Sequence, residues 1–165
     1  MSKYKDRIKE LPRVTLDAIS EVCRGMLPSE YRSRPWDLPY GDKNFAKIFD
    51  QEDQLNGYAA AYTNWHKGKL RIAFDHMPTD TFVGEIAVID WACGQGLATI
   101  FLHEYLEEKG YNCRIKEVIL IEPSEKALDR AKFIIEAIDS KIKVSTVNKK
   151  LDEVGLHYES YLQNM

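Results

Sequence analysis

The sequence predicts an α/β fold, a parallel sheet of about three strands behind an N-terminal helical cap. Three observations predict it. Between residues 85 and 147, apolar runs of strand length alternate with helical stretches and short connections, which implies parallel pairing through right-handed crossovers. Before residue 85, apolar residues recur at helical spacings instead. A chain of 165 residues also suffices for one domain with a sizeable core and is too short for two full-sized ones. The change of texture separates residues 1–84, a helical extension, from residues 85–165, a partial sheet unit.

A helical stretch from about Lys3 to Met26 is interrupted at Pro12, where Thr15 or Asp17 is placed to begin the next helix. In PSEYRSRPWDLPYGDK, Pro28, Pro35, Pro39 and Gly41 exclude a regular helix and leave a loop. From Gln51 to about His76, residues Leu55, Tyr58, Ala59, Tyr62, Trp65, His66 and Lys69 fall on one helical face. Met77-Pro78-Thr79-Asp80 closes that helix. IAVIDW (86–91) is a continuous apolar run, as expected for a strand buried on both faces. LATIFLHEYLEEKG follows as a helix with Gly110 at its C-cap. KEVILIE (116–122) is a second strand, Ser124 an N-cap for EKALDRAKFIIEAID, and KIKVSTV (141–147) a third strand. The remainder reads as a loop and one short helix.

Composition narrows the functional classes. The formal net charge is −3, and the first 34 residues hold eight Lys/Arg against five Asp/Glu, too dilute a surplus to indicate nucleic-acid binding. No apolar run approaches the ~20 residues needed to cross a bilayer. The start, MSKYKDRIKELP, lacks an apolar signal-type stretch. The expectation is a cytoplasmic protein without membrane partners. Cys23, Cys93 and Cys113 and the four histidines are scattered without ligand spacing, so reduced thiols and no metal site are expected.

The chemistry concentrates after the first strand. In such sheets, ligands sit beyond the carboxyl ends of the strands. The turn Trp91-Ala92-Cys93-Gly94-Gln95-Gly96 lies there, with small residues that let a backbone pass close to a ligand. The following helix N-terminus offers unpaired N–H groups. Asp90 closes the first strand and Glu122 the second; an acid at the end of strand two can accept hydrogen bonds from both ribose hydroxyls of a nucleoside. The dinucleotide fingerprint requires a third small residue, and Thr99 or Leu97 stands there. That disfavours a nicotinamide enzyme. A carboxylate two residues before the first small position instead suits a ligand carrying an ammonium group.

These residues resemble a known family. "VIDWACGQG" is similar to the first motif of class I S-adenosylmethionine-dependent methyltransferases, and "VILIEPSEKALDRA" to their second. The resemblance covers residues 85–148 and implies a Rossmann-like sheet, here partial. It implies that Asp90, Ala92, Cys93, Gly94 and Gly96 form the turn against the methionine part of S-adenosyl-L-methionine. Glu122 would bind the ribose hydroxyls and Pro123 would lie against the adenine. Cys93 would be a packing residue, not a nucleophile. No catalytic residue is identified.

Three departures qualify the resemblance. Ala92 stands where the family has its first glycine, which is tolerable if φ there is negative. Lys150 or Asn148 occupies the place of the acid that binds the adenine amino group, with Asp152 two residues further on. The later strands that carry catalytic groups do not follow. The expectation is therefore the cofactor-binding portion of a methyltransferase, a fragment of a longer enzyme. A homodimer or the missing C-terminal region would cover the strand-1 edge, with the N-terminal half a third candidate. The alternative is a non-catalytic nucleotide-binding or interaction module. The methyl acceptor is unspecified. Tyr58, Tyr62, Trp65 and His66 either form a lid over the cofactor or pack as an aromatic stripe against the sheet.

Overall fold

The computed structural model describes residues 3–38 and 48–154. Pro39 and Gly41 of the predicted loop, and the chain after Val154, lie outside them. Helices α1 (Lys3–Lys9) and α2 (Leu16–Met26) flank the break at Pro12. Thr15, rather than Asp17, is the N-cap of α2, its side chain accepting from the Ala18 N–H at 3.2 Å. Short 3-10 turns at Ser29–Tyr31 and Pro35–Asp37 occupy the described part of the proline-rich loop. Helix α3 (Glu52–Asp75) opens with a reciprocal box between Gln51 and Gln54, which satisfies two otherwise orphaned N–H groups.

The second half follows as β1 (Gly84–Trp91), α4 (Leu97–Lys109), β2 (Cys113–Ile121), α5 (Glu125–Ile138), β3 (Lys143–Val147) and α6 (Leu151–Val154). Gly110 ends α4 at φ 66°, in the left-handed region. Ser124 caps α5 by accepting from the Ala127 N–H at 3.1 Å. The sheet has order β1-β2-β3 and both pairings are parallel. This is a partial Rossmann-like α/β arrangement, with α1–α3 as the N-terminal helical layer.

Two right-handed crossovers stepping in one direction place α4 and α5 on the same face of the sheet. Ile86, Val88, Val118, Leu120 and Val144 point into that face and join Ile100, Phe101, Ala131 and Ile134 in the main core. A one-residue irregularity pairs Ile86 with Ile115 but Ala87 with Glu117. The extra residue, Lys116, lets Ile115 share the core face with Val118 and Leu120. Ile119, Ile121 and Val154, with Ile89 and Val147 against them, make a smaller cluster on the opposite face.

Two sequence expectations need correction. β1 is the edge strand expected from the sequence, but Ile86, Val88 and Ile89 are only half-buried rather than enclosed on both faces. It is β2, paired on both sides, that is enclosed. The buried face of α3 is also rotated from the predicted stripe. Leu55, Asn56, Ala59, Ala60 and Thr63 are buried, whereas Trp65 is 58% exposed. The rotation arises because α3 packs mainly against α2, whose buried face near it carries small side chains such as Ser20, bonded to the Ala59 carbonyl.

The N-terminal helices share the core. Tyr4, Ile8, Leu16 and Ile19 belong to the same cluster as Phe101, Tyr105 and Ile135. Each such side chain contributes roughly 1.5–3 kcal/mol by leaving water. Phe74 of α3 stacks on Phe101 of α4 at 5.9 Å between centroids. No helix among the described residues is long and apolar enough to cross a membrane.

Candidate functional site

The turn between β1 and α4 is held from below before any ligand is considered. The Cys93 N–H donates to the Ile121 carbonyl at 3.0 Å, hooking the turn onto the end of β2. Gly94 has φ 54° and its N–H donates to Glu122 Oε2 at 3.0 Å. The other carboxylate oxygen, Oε1, accepts from the Ser124 N–H at 3.0 Å. Glu122 thus bridges the turn and the cap of α5, with lone pairs on each oxygen left over for hydroxyl donors.

Ala92 has φ 54°. The condition on which alanine would be tolerated there, a negative φ, is not met, and the position carries the left-handed geometry that favours glycine. Gly96, at φ 76°, is the N-cap of α4 and does not line the cavity described below. A Cβ on it would stand 3.0 Å from the Ala131 Cβ. Gly96 therefore serves the close approach of α5 to the turn.

Above the turn is a cavity of about 570 Å³, within the size range of small-molecule sites. Asp90, Ala92, Cys93, Gly94, Glu122 and Pro123 all line it, so six of the seven predicted residues converge. Its other wall comes from Phe49 and from α3, through Leu55, Tyr58, His66 and Leu70. The Ser124 hydroxyl donates to the Phe49 carbonyl and fixes that wall to the cap of α5. No lysine or arginine stands among the described lining residues.

Asp90 is half-buried, and its Oδ2 accepts from the Thr99 hydroxyl at 2.7 Å. Burial pushes its carboxyl above the usual range, the Thr99 bonds oppose that, and the Glu122 charge adds to it. Burial, with the charges of Asp90 and Glu122, drives the Cys93 thiol far up. That thiol is neutral and packs. Tyr58 Oη lies 2.7 Å from His66 Nε2. Burial raises the Tyr58 phenol, with Tyr62 and Glu122 adding to it. Burial and Lys69 lower the His66 imidazole.

Asn148, one of the two candidates for the adenine position, donates to the Glu122 and Pro123 carbonyls at 3.0 and 2.9 Å. It braces the strand ends. The Lys150 N–H donates to Glu153 at 3.0 Å and starts α6. No group of three or more potential metal ligands occurs among the described residues.

Sequence reasoning missed the support beneath the turn. Arg130 of α5, 2% exposed, donates to Gln95 Oε1 at 3.0 Å, to Asn56 Oδ1 at 2.9 Å and to the Glu52 carboxylate. Gln95 donates to the Leu55 carbonyl at 2.9 Å, and the Tyr4 ring lies 3.9 Å from the guanidinium. The signal was present: Arg130 falls three residues after Ala127 and four before Ile134, on the apolar stripe of its helix. In the sequence Thr99 stands only where the dinucleotide fingerprint requires a small residue. Its place in the first turn of α4 is what brings its hydroxyl to Asp90.

No protein-family model matches the chain, and no curated protein matches it significantly.

Proposed function

We propose that the cavity binds S-adenosyl-L-methionine and that the chain is a methyltransferase unit of the class I type. The observation that carries this reading is the charge of the cavity. Two carboxylates, Asp90 and Glu122, face a lining with apolar and aromatic walls and no lysine or arginine among its described residues. A phosphate-bearing ligand would meet the like charge of two carboxylates there, whereas a ligand carrying an ammonium and a sulfonium would be attracted. In this reading Asp90 takes the ammonium, Glu122 the ribose hydroxyls and Pro123 a flat face of the adenine. Bound there, the cofactor would supply an electrophilic methyl group. The protein's part is to hold an acceptor in line with it, which is chiefly a matter of orientation.

Calorimetric titration tests the reading. S-adenosylhomocysteine and S-adenosylmethionine are expected to bind, while NAD and ATP at the same concentrations are expected not to. Asp90→Asn is expected to weaken S-adenosylmethionine binding by about 10- to 100-fold, the loss of one hydrogen bond to a charged group. Absence of heat with millimolar S-adenosylhomocysteine, or tighter binding of NAD, would remove the assignment.

A further inference from the structure

We infer that the Tyr58–His66 pair is the proton acceptor on the substrate side of the cavity, and that the substrate is a neutral hydroxyl or amine carried on an aromatic ring. This rests on the methyltransferase reading and adds to it the class of acceptor. The two side chains stand eight residues, about two turns, apart on one face of α3, are half-buried, and line the same cavity as Asp90 and Glu122. Their 2.7 Å contact is a hydrogen bond between a phenol and an imidazole. Phe49 lies against Tyr58 with centroids 5.7 Å apart, and Trp91, 43% exposed, lines the same cavity. Flat aromatic surface is thus present on more than one wall, and a ring-bearing substrate has faces to pack on.

The charges around the pair set the substrate's own charge. Asp90 and Glu122 lie across the cavity, Lys69 is on the same helix, and no cation from another element lines the cavity among the described residues. An anionic acceptor would find no cationic side chain among the described lining residues to pair with, and would sit in one cavity with two carboxylates. A neutral one must lose a proton as it gains the methyl group. The bond that forms joins the acceptor oxygen or nitrogen to the methyl carbon. The bond that breaks is the methyl–sulfur bond, whose electron pair remains on sulfur. The acceptor's proton passes to the Tyr58 oxygen as the Tyr58 proton passes to His66 Nε2. One positive charge enters on the sulfonium and one leaves on the imidazolium. Burial and Lys69 lower the affinity of His66 for protons, which keeps the imidazole neutral and able to accept at neutral pH.

The experiment uses phenol as the neutral probe and benzoate as the anionic one. Each is titrated into the full chain, histidine-labelled for NMR and saturated with S-adenosylhomocysteine, the His66 signals being assigned by their loss in His66→Gln. Phenol is expected to shift the His66 signals saturably and benzoate to leave them in place. Radiolabelled methyl transfer from S-adenosylmethionine to phenol is expected in the wild type and to fall about 100-fold in Tyr58→Phe and in His66→Gln. His66 signals blind to phenol, equal response to benzoate, no transfer by the wild type, or transfer that survives in both variants would each overturn the inference. Failure of the cofactor reading is a separate result, because calorimetry with S-adenosylhomocysteine reports it before either probe is added.

Discussion

Ala92 and Gly96 stand four residues apart in one turn, and both have positive φ, but for different reasons. Space around Gly96 is closed by Ala131, so a side chain there meets both torsional and steric cost. At Ala92 the side chain is already present and exposed, and only the torsion is unfavourable. Ala92→Gly is therefore expected to raise stability by about 1 kcal/mol, the left-handed penalty less the added chain entropy. Gly96→Ala is expected to lower it by about 2 kcal/mol or more. Urea unfolding of the two variants checks the contrast. His66 gives a pH signature at the same scale. Its folded pKa lies below its unfolded value of 6.5. The neutral imidazole thus contributes stability fully present above that value and lost as pH falls through the folded pKa. Wild-type melting temperature should drop from pH 7.5 to 5 by more than that of His66→Gln, and equal drops would contradict the assignment.

At the scale of elements, the guanidinium of Arg130 joins α5 to the β1–α4 turn through Gln95 and to the first turn of α3 through Asn56 and Glu52. Arg130→Met would leave those partners without their shared donor and is expected to cost about 3 kcal/mol. Hydrogen exchange should accelerate in the first turn of α3 more than in its last, a pattern that general loss of packing would not produce. The elements themselves were largely legible in the sequence. Apolar runs at 86–91 and 116–122 and the caps at Ser124 and Gly110 are local signals, and local signals survive folding. The half-burial of β1 was not legible, because an apolar run records what a strand could bury and not how much of it finds a neighbour. The buried side of α3 was hidden for a related reason. Its contacts are small residues, Ala59, Ala60 and Thr63, which count little in an apolar pattern yet allow α2 to come close. In the site, Asp90, the small turn residues and Glu122 could be read because each follows a strand end. Tyr58 and His66 were legible as one face of α3, but that this face lines the cavity depends on where α3 docks, which no local pattern encodes.

For the whole molecule, one core runs from Tyr4 and Ile8 through Phe101 to Ile134, so the N-terminal helices and the sheet unit should unfold together. Far-ultraviolet dichroism and tryptophan fluorescence are expected to report the same thermal midpoint. Separate midpoints would show that the two halves are independent. S-adenosylhomocysteine at 100 times its dissociation constant should add about 2.7 kcal/mol, a rise of roughly 5–10 °C for a chain of this size. A cavity walled by both halves makes that single rise the expected form, with no second transition left behind.

Helix α3 is fastened along its length: to Arg130 at Glu52 and Asn56, to Asp17 at Lys67, and to α4 through Arg71–Glu108 and Asp75–Lys109. Single exposed pairs of this kind contribute little, but together with Phe74 on Phe101 they leave the helix no free end from which to swing. It behaves as masonry and not as a hinged door. Ile48 and Trp91 line the cavity and still meet water, and so mark its mouth among the described residues. A wall so anchored keeps its shape as a molecule enters, and what it admits must fit the α3 face as it stands.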